Sequence, residues 1–155
     1  MLITQDVCAR LEVAAVVLVA SVDATGSPTC AHAAALKVAP GESVATVYLP
    51  VATCQAILAD IATNGRLAVT CGNPLDNGAV QLKGRSRRVR MAAEDERAFV
   101  DARQAIHAAS IEHIGVPRRY ARGLVSWPAF AVELAIEAVF DQTPGPRAGV
   151  PLGTR

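Results

Sequence analysis

The sequence predicts a mainly β domain, α+β by content, in which six antiparallel strands close into a barrel with its helices on the outside. Three observations point there. Three apolar, β-rich segments follow one another with only turn formers between them, which makes a meander and excludes the alternating strand and helix units of a doubly wound sheet. Only two segments carry clear helical periodicity, a short one between the third and fourth strands and a longer one between the fifth and sixth. Closure of such a sheet removes its exposed edges.

The 155 residues are enough for one domain with a full core and too few for two ordinary ones, so the chain reads as a single domain over 1–155. Residues 1–10 form a short N-terminal segment, and 13–23 form the first strand. Asp23-Ala-Thr-Gly-Ser-Pro28 reverses the chain into the second strand, 29–38. Ala39-Pro-Gly-Glu-Ser43 turns again, and 44–49 is the third strand.

Pro50 ends that strand, and Thr53 is placed to cap a short helix over 54–63 whose Ile57, Leu58 and Ile61 share a face. Asn64-Gly65 is the matching stop. Strand four runs over 66–71, and the loop 72–78 leads into the most unusual segment of the chain. Residues 79–91 alternate like a strand yet carry five cations and no acid. Val80, Leu82 and Gly84 share one face; Gln81, Lys83, Arg85 and Arg87 share the other. Beyond Arg87 the pattern inverts, with Val89 and Met91 apolar at odd positions, so a bulge is expected near Arg87 or Arg88. Gly84 inside a strand marks a sharp bend or a close approach by a ligand or another backbone.

Glu94, Asp95 and Glu96 complement the dipole at the start of the longest helix. Its expected core stripe is Phe99, Ala102, Ile106, Ala109 and His113, and Gly115 with Pro117 ends it. A short helix is expected over 118–122. Residues 130–140 then alternate cleanly as a half-buried sixth strand, and the tail 141–155 is irregular.

Composition narrows the function. Hydrophobic residues make up 52% of the chain and charged residues 19%, which excludes disorder. The apolar run 13–22 is about half the length a helix needs to cross a bilayer. The residues before it include Asp6 and Glu12 as well as Arg10, and the run is dense in Val, unlike an export signal, so a cytoplasmic protein without membrane contact is expected. A formal net charge of +1 argues against a general nucleic-acid binder and for a local anion beside the basic strand. Cys8, Cys30, Cys54 and Cys71 are far apart, with no zinc-ligand spacing, and are read as reduced thiols and not as a metal site. The apolar excess in so small a chain favours a homodimer.

The order of elements, together with Tyr48-Leu-Pro50, the helix ending in Asn64-Gly65, the strand Arg66-Leu-Ala-Val-Thr70, the segment Gln81-Leu-Lys-Gly84 and the tail Asp141-Gln-Thr-Pro-Gly-Pro146, resembles the FMN-binding split-barrel proteins related to pyridoxamine 5'-phosphate oxidase. The resemblance runs from about Val13 to Leu152. It implies two barrels packed side by side with flavins in grooves between subunits, and a protein that moves electrons between a reduced cofactor and a small-molecule acceptor. It places the FMN phosphate at Thr53-Cys54-Gln55, where typical members have Ser-Arg-Lys. This chain keeps the hydroxyl and lacks both cations there, and it has Thr29-Cys-Ala-His-Ala33 where an Arg is usual, so Lys37, Lys83 or Arg85 would supply the charge.

Helix N-termini and charge-assisted donors are suited to a phosphate, and an apolar slot with a few polar groups is suited to the ring. Thr46, Tyr48 and Gln81 are candidate contacts; Thr46 and Gln81 also read as ordinary strand polar residues. Trp127 lies against the ring or packs in the dimer core. His107 and His113 are read as structural, whereas His32 is the one histidine to test as an acid–base group or haem ligand. Related barrels bind haem or a deazaflavin, and a non-catalytic flavin-binding module would share every feature quoted. No catalytic base is assigned.

Overall fold

The computed structural model of the protein describes residues 1–152. The elements are α1 (Gln5–Val13), β1 (Val16–Val22), β2 (Pro28–His32), β3 (Ala35–Lys37), β4 (Val44–Pro50), α2 (Gln55–Asn64), β5 (Arg66–Gly72), β6 (Ala79–Met91), a 3-10 turn (Glu94–Glu96), α3 (Arg97–His113), α4 (Arg118–Arg122) and β7 (Ala129–Asp141). The strands form one sheet in the order β2-β1-β5-β6-β7-β4-β3, and every neighbouring pair is antiparallel.

There are seven strands rather than six, because the expected second strand divides. Its first half pairs with β1, Leu18 facing His32, and its second half pairs with β4, Ala35 facing Tyr48. The two residues between them serve both edges: Ala33 N–H donates to Val17 O at 2.9 Å and Ala34 N–H donates to Tyr48 O at 2.7 Å. One segment thus changes partners at a corner, which draws the two edges of the sheet together.

The N-terminal segment is also more ordered than expected. It is a helix, with the Thr4 hydroxyl accepting from Val7 N–H and Asp6 in the first turn, and it takes Val13 from the expected first strand. Its Val7, Cys8 and Leu11 pack into the barrel core with Val19, Val47 and Leu82. The start of α2 departs as well. Cys54 and not Thr53 holds the capping position, and no side chain caps the helix. Its end is as expected: Gly65 adopts φ 70° and donates to Ile61 O at 2.8 Å, a conformation that suits glycine.

Two irregularities shape β6. A Cβ on Gly84 would stand 1.9 Å from Ala135 O, so the backbone of β7 occupies the space a side chain would need. Between Ser86 and Arg88 the register shifts, which leaves Arg87 without an opposite residue on β7. After this bulge Val89 and Met91 stand opposite Val132 and Phe130, on the inner side of the sheet as the inverted pattern requires, but at the rim, where they stay 41% and 50% exposed.

The packed face of α3 differs from the apolar stripe. Ala102, Ile106 and His113 are exposed, and the helix turns Val100 and His107 into the protein with Arg103 and Gln104 half-buried beside them. The polar members of this face reach backbone carbonyls at the end of α1 and at the barrel corner. Arg103 donates to Leu11 O, Glu12 O and Ala14 O at the end of α1, and Gln104 Nε2 donates to Ala34 O at the barrel corner. These bonds turn the polar residues inward and leave Ile106 on the exposed side.

Candidate functional site

Two concave regions hold residues expected from the sequence. The first is a cleft of about 220 Å³ at the barrel corner. Ala15 and Val17 of the β1 side, Ala33 and Ala34 of the corner, and Pro50, Ala52 and Thr53 ahead of α2 form its walls, while Arg103, Gln104, His107 and the segment 123–126 close it. His32 stands at the cleft, its ring centroid 6.1 Å from that of His107 and inclined at 67°. Burial, with the second imidazole adding to it, lowers the His32 pKa below the ordinary histidine value. His107 is buried, and its Nδ1 lies 3.1 Å from Ala15 O, to which it donates.

The second region lies on the outward side of β1, β5 and the first half of β6, a shallow trough bordered by Ser21, Arg66, Ala68, Lys83, Arg85 and Glu137. Arg66 and Arg85 face each other across the strands, a like-charge pairing that costs stability unless an anion joins it. Arg85 donates to Asn64 O at 3.0 Å and its Nε lies 3.5 Å from Glu137. Lys83 is exposed, with its Nζ 4.9 Å from the centroid of the Phe140 ring, and it makes no ion pair among the described residues. Gln81 bridges Thr70, to whose hydroxyl its Nε2 donates at 2.9 Å, and Gln142, from which it accepts at 3.3 Å.

The residues expected from the sequence therefore fall into three groups. Gln81, Lys83 and Arg85 share the outward face of β6. Thr53 lines the corner cleft with His32, and beside it Gln55 is exposed at the start of α2 while Cys54 is buried, which raises its thiol pKa. Thr46, Tyr48 and Trp127 lie on the β4 side. Thr46 is half-buried between Lys37 and Glu133 in the strand register.

Tyr48 offers no free edge. It is 1% exposed, its ring tilts against Phe99 of α3, and its hydroxyl donates to Glu96 Oε1 at 2.9 Å. Glu96 is in turn gripped by Arg90 at 2.8 Å, a pairing that drops the Glu96 pKa to about 2, while burial and the Glu96 carboxylate push the Tyr48 phenol up. Trp127 packs against the same cluster. Arg103, Gln104, His107 and Ser126 line the cleft without having been singled out by sequence as contacts. The available signal was three polar residues at 103, 104 and 107 on one face of an alanine-rich helix.

No protein-family model matches the chain, and no curated protein matches it significantly. Solved structures do. The HupZ protein of Group A Streptococcus superposes with a TM-score of 0.59 at 16% identity over 95% of this chain and 99% of that one. A Clostridium acetobutylicum protein of the pyridoxinephosphate oxidase family, related to general stress protein 26, gives 0.54 at 11% identity over 95% and 91%. An F420 reductase gives 0.55 at 13% identity over 84% and 93%. The chain has the split-barrel fold of the pyridoxamine 5'-phosphate oxidase-like proteins. Among the described residues no helix is long and apolar enough to cross a membrane.

Proposed function

We propose that the protein is a flavin-binding oxidoreductase of the FMN type that works as a homodimer, with the cofactor held where the outward face of β1, β5 and β6 meets a second copy. The observation that carries this reading is the uncovered face itself. Val16, Leu18, Ala20 and Ala68 present a small apolar strip with no helix over it, Leu18 being 36% exposed, and Gln81, Lys83 and Arg85 border the strip. Apolar walls with a few polar groups suit an isoalloxazine, and cations at one side, of which Lys83 makes no ion pair among the described residues, suit its phosphate.

The residues present fit such a cofactor. Lys83 and Arg85 would hold the phosphate, the Gln81 amide is placed to meet polar ring or ribityl atoms, and the apolar strip would exclude water from one ring face. The bound flavin supplies the electron transfer between a reduced donor and a small acceptor; the protein binds and orients it. A deazaflavin is the second reading. It is favoured by the run of Arg66, Lys83, Arg85 and Arg87 along one surface and by the fold shared with an F420 reductase.

The experiment is the visible absorption spectrum of the purified protein, with the released cofactor identified by mass. A flavin or deazaflavin spectrum supports the reading and chooses between the two. A colourless protein that ignores both added cofactors removes it.

A further inference from the structure

The flavin reading uses the first half of β6 and leaves its second half, 86–91, without a role. There the strand has a neighbour on one side only. The ladder to β5 ends where Arg66 faces Arg85, and past the bond from Ser86 N–H to Gly65 O at 2.8 Å no strand among the described residues lies on that side. Ala92 N–H donates to Ala129 O at 2.9 Å. Bonded pairs alternate along an antiparallel ladder, so Arg90 and Arg88 bond to β7 while Val89 and Met91 turn their N–H and C=O groups to the open edge. The Met91 carbonyl accepts from Arg90 Nη1 at 3.2 Å. The Val89 N–H, the Val89 carbonyl and the Met91 N–H have no partner among the described residues.

The side chains of this edge sort by face. Val89 and Met91 are exposed on the inner side at the rim. Arg90 is spent on Glu96, but Arg88 lies as far as 3.9 Å from Glu133 with its side chain 65% exposed, and the exposed Arg87 makes no ion pair among the described residues. An open edge invites a further strand, and the charge along it decides which. A second copy of the same edge would set arginine opposite arginine on the outer face, which repels. The chain's own alternating acidic strand, β7, is already held between β6 and β4. A strand from another protein, acidic on one face and apolar on the other, meets the cations and covers the two apolar side chains at once.

We propose that the edge at 87–91 takes up an extended acidic segment of a partner protein by strand addition, with carboxylates beside Arg87 and Arg88 and alternate apolar side chains over Val89 and Met91. Main-chain bonds to the Val89 and Met91 N–H groups and to the Val89 carbonyl supply affinity, and the alternation supplies specificity. The inference goes beyond the flavin reading and does not depend on it, because Lys83 and Arg85 lie ahead of the bulge. The contact is short and partly ionic, so its affinity falls with salt.

The probe is a capped peptide of about six residues alternating Glu and Val, long enough to span 87–91. It is titrated into the isotopically labelled full chain, without added flavin, and followed by amide chemical shifts. The expected result is saturable shifts concentrated at 87–92 and an affinity about tenfold weaker at high salt than at low salt. A peptide alternating Lys and Val does not bind. N-methylation of one alternate set of amides in the acidic peptide abolishes binding, whereas methylation of the other set, which faces away from the chain, leaves it. Val89→Pro removes a free N–H without taking a bond from β7 and weakens binding at least about tenfold. Arg87→Glu/Arg88→Glu, at exposed positions, keeps the fold and transfers the preference to the Lys peptide; it decides the matter where Val89→Pro alters the melting profile. Absence of shifts at 87–92 with either peptide, equal binding of the two, or a preference untouched by the charge reversal overturns the inference. A light-scattering mass that falls in Arg87→Glu/Arg88→Glu assigns the edge to a contact between copies and overturns it as well.

Discussion

The outward side of the sheet has two halves that the chain treats differently. Over β3, β4 and β7 it supplies its own cover. α3 lays Val100 and Phe99 against Tyr48, Ala35, Ala129 and Ala131, and the Tyr48–Glu96–Arg90 bonds pin the start of that cover to the strands. Over β1, β5 and the first half of β6 it supplies none, so Leu18 stays exposed and Lys83 keeps its charge unpaired among the described residues. The contrast shows that residue type alone does not mark a binding position. Tyr48 and Gln81 are both plausible cofactor contacts in a strand, yet one is used up by packing and the other stays on the open face. That apolar and cationic surface beside a fully covered one is the feature on which the proposed cofactor site rests.

Gly84 lies between the halves, where β6 leaves the open face and runs toward the covered one, and breaking it gives the largest effect. Gly84→Val must push β7 aside at Ala135, and a loss of about 3 kcal/mol or more is expected in chemical denaturation. A variant as stable as the parent would mean that the two strands do not close on each other there.

On the covered half, Tyr48→Phe removes a hydrogen bond to a carboxylate and should cost about 1.5–3 kcal/mol. The Glu96 carboxyl has its pKa depressed to about 2 in the folded protein, chiefly by its bonds to Arg90. Its contribution is therefore fully present above the ordinary carboxylate range and is lost as pH falls from about 5 toward 2. Glu96→Gln should flatten the acid limb of the stability profile in that window, and an unaltered limb would place the acid sensitivity elsewhere. On the open half, Leu18→Arg should change monomer stability by less than about 0.5 kcal/mol, because the side chain has little to lose. The same change should shift light-scattering mass from dimer to monomer; a mass unaffected by it would remove this face as the contact.

Much of the fold is legible locally. The bulge at Arg87, the close approach at Gly84, the glycine stop at Gly65 and the alternation of β7 each follow from a few neighbouring residues. The parts that are not legible depend on partners distant in sequence. Nothing within 29–38 says that its halves pair with different strands, since both halves satisfy strand propensity equally. The face of α3 follows side-chain bonds to the carbonyls of Ala14, Ala15 and Ala34, which no periodicity of apolar residues can reveal. The candidate site divides the same way. The outward cations of β6 announce themselves by alternation, whereas the cleft assembles His32 and His107 from elements 75 positions apart in the chain.

The most direct test of the open face as the cofactor site is the FMN affinity of the parent and of Lys83→Ala/Arg85→Ala, measured by flavin fluorescence at low and high salt. The account predicts that the double variant folds normally, binds FMN at least about tenfold more weakly, and loses most of the salt dependence of binding. Equal affinity with equal salt dependence in both proteins would contradict it, and would move the phosphate away from β6.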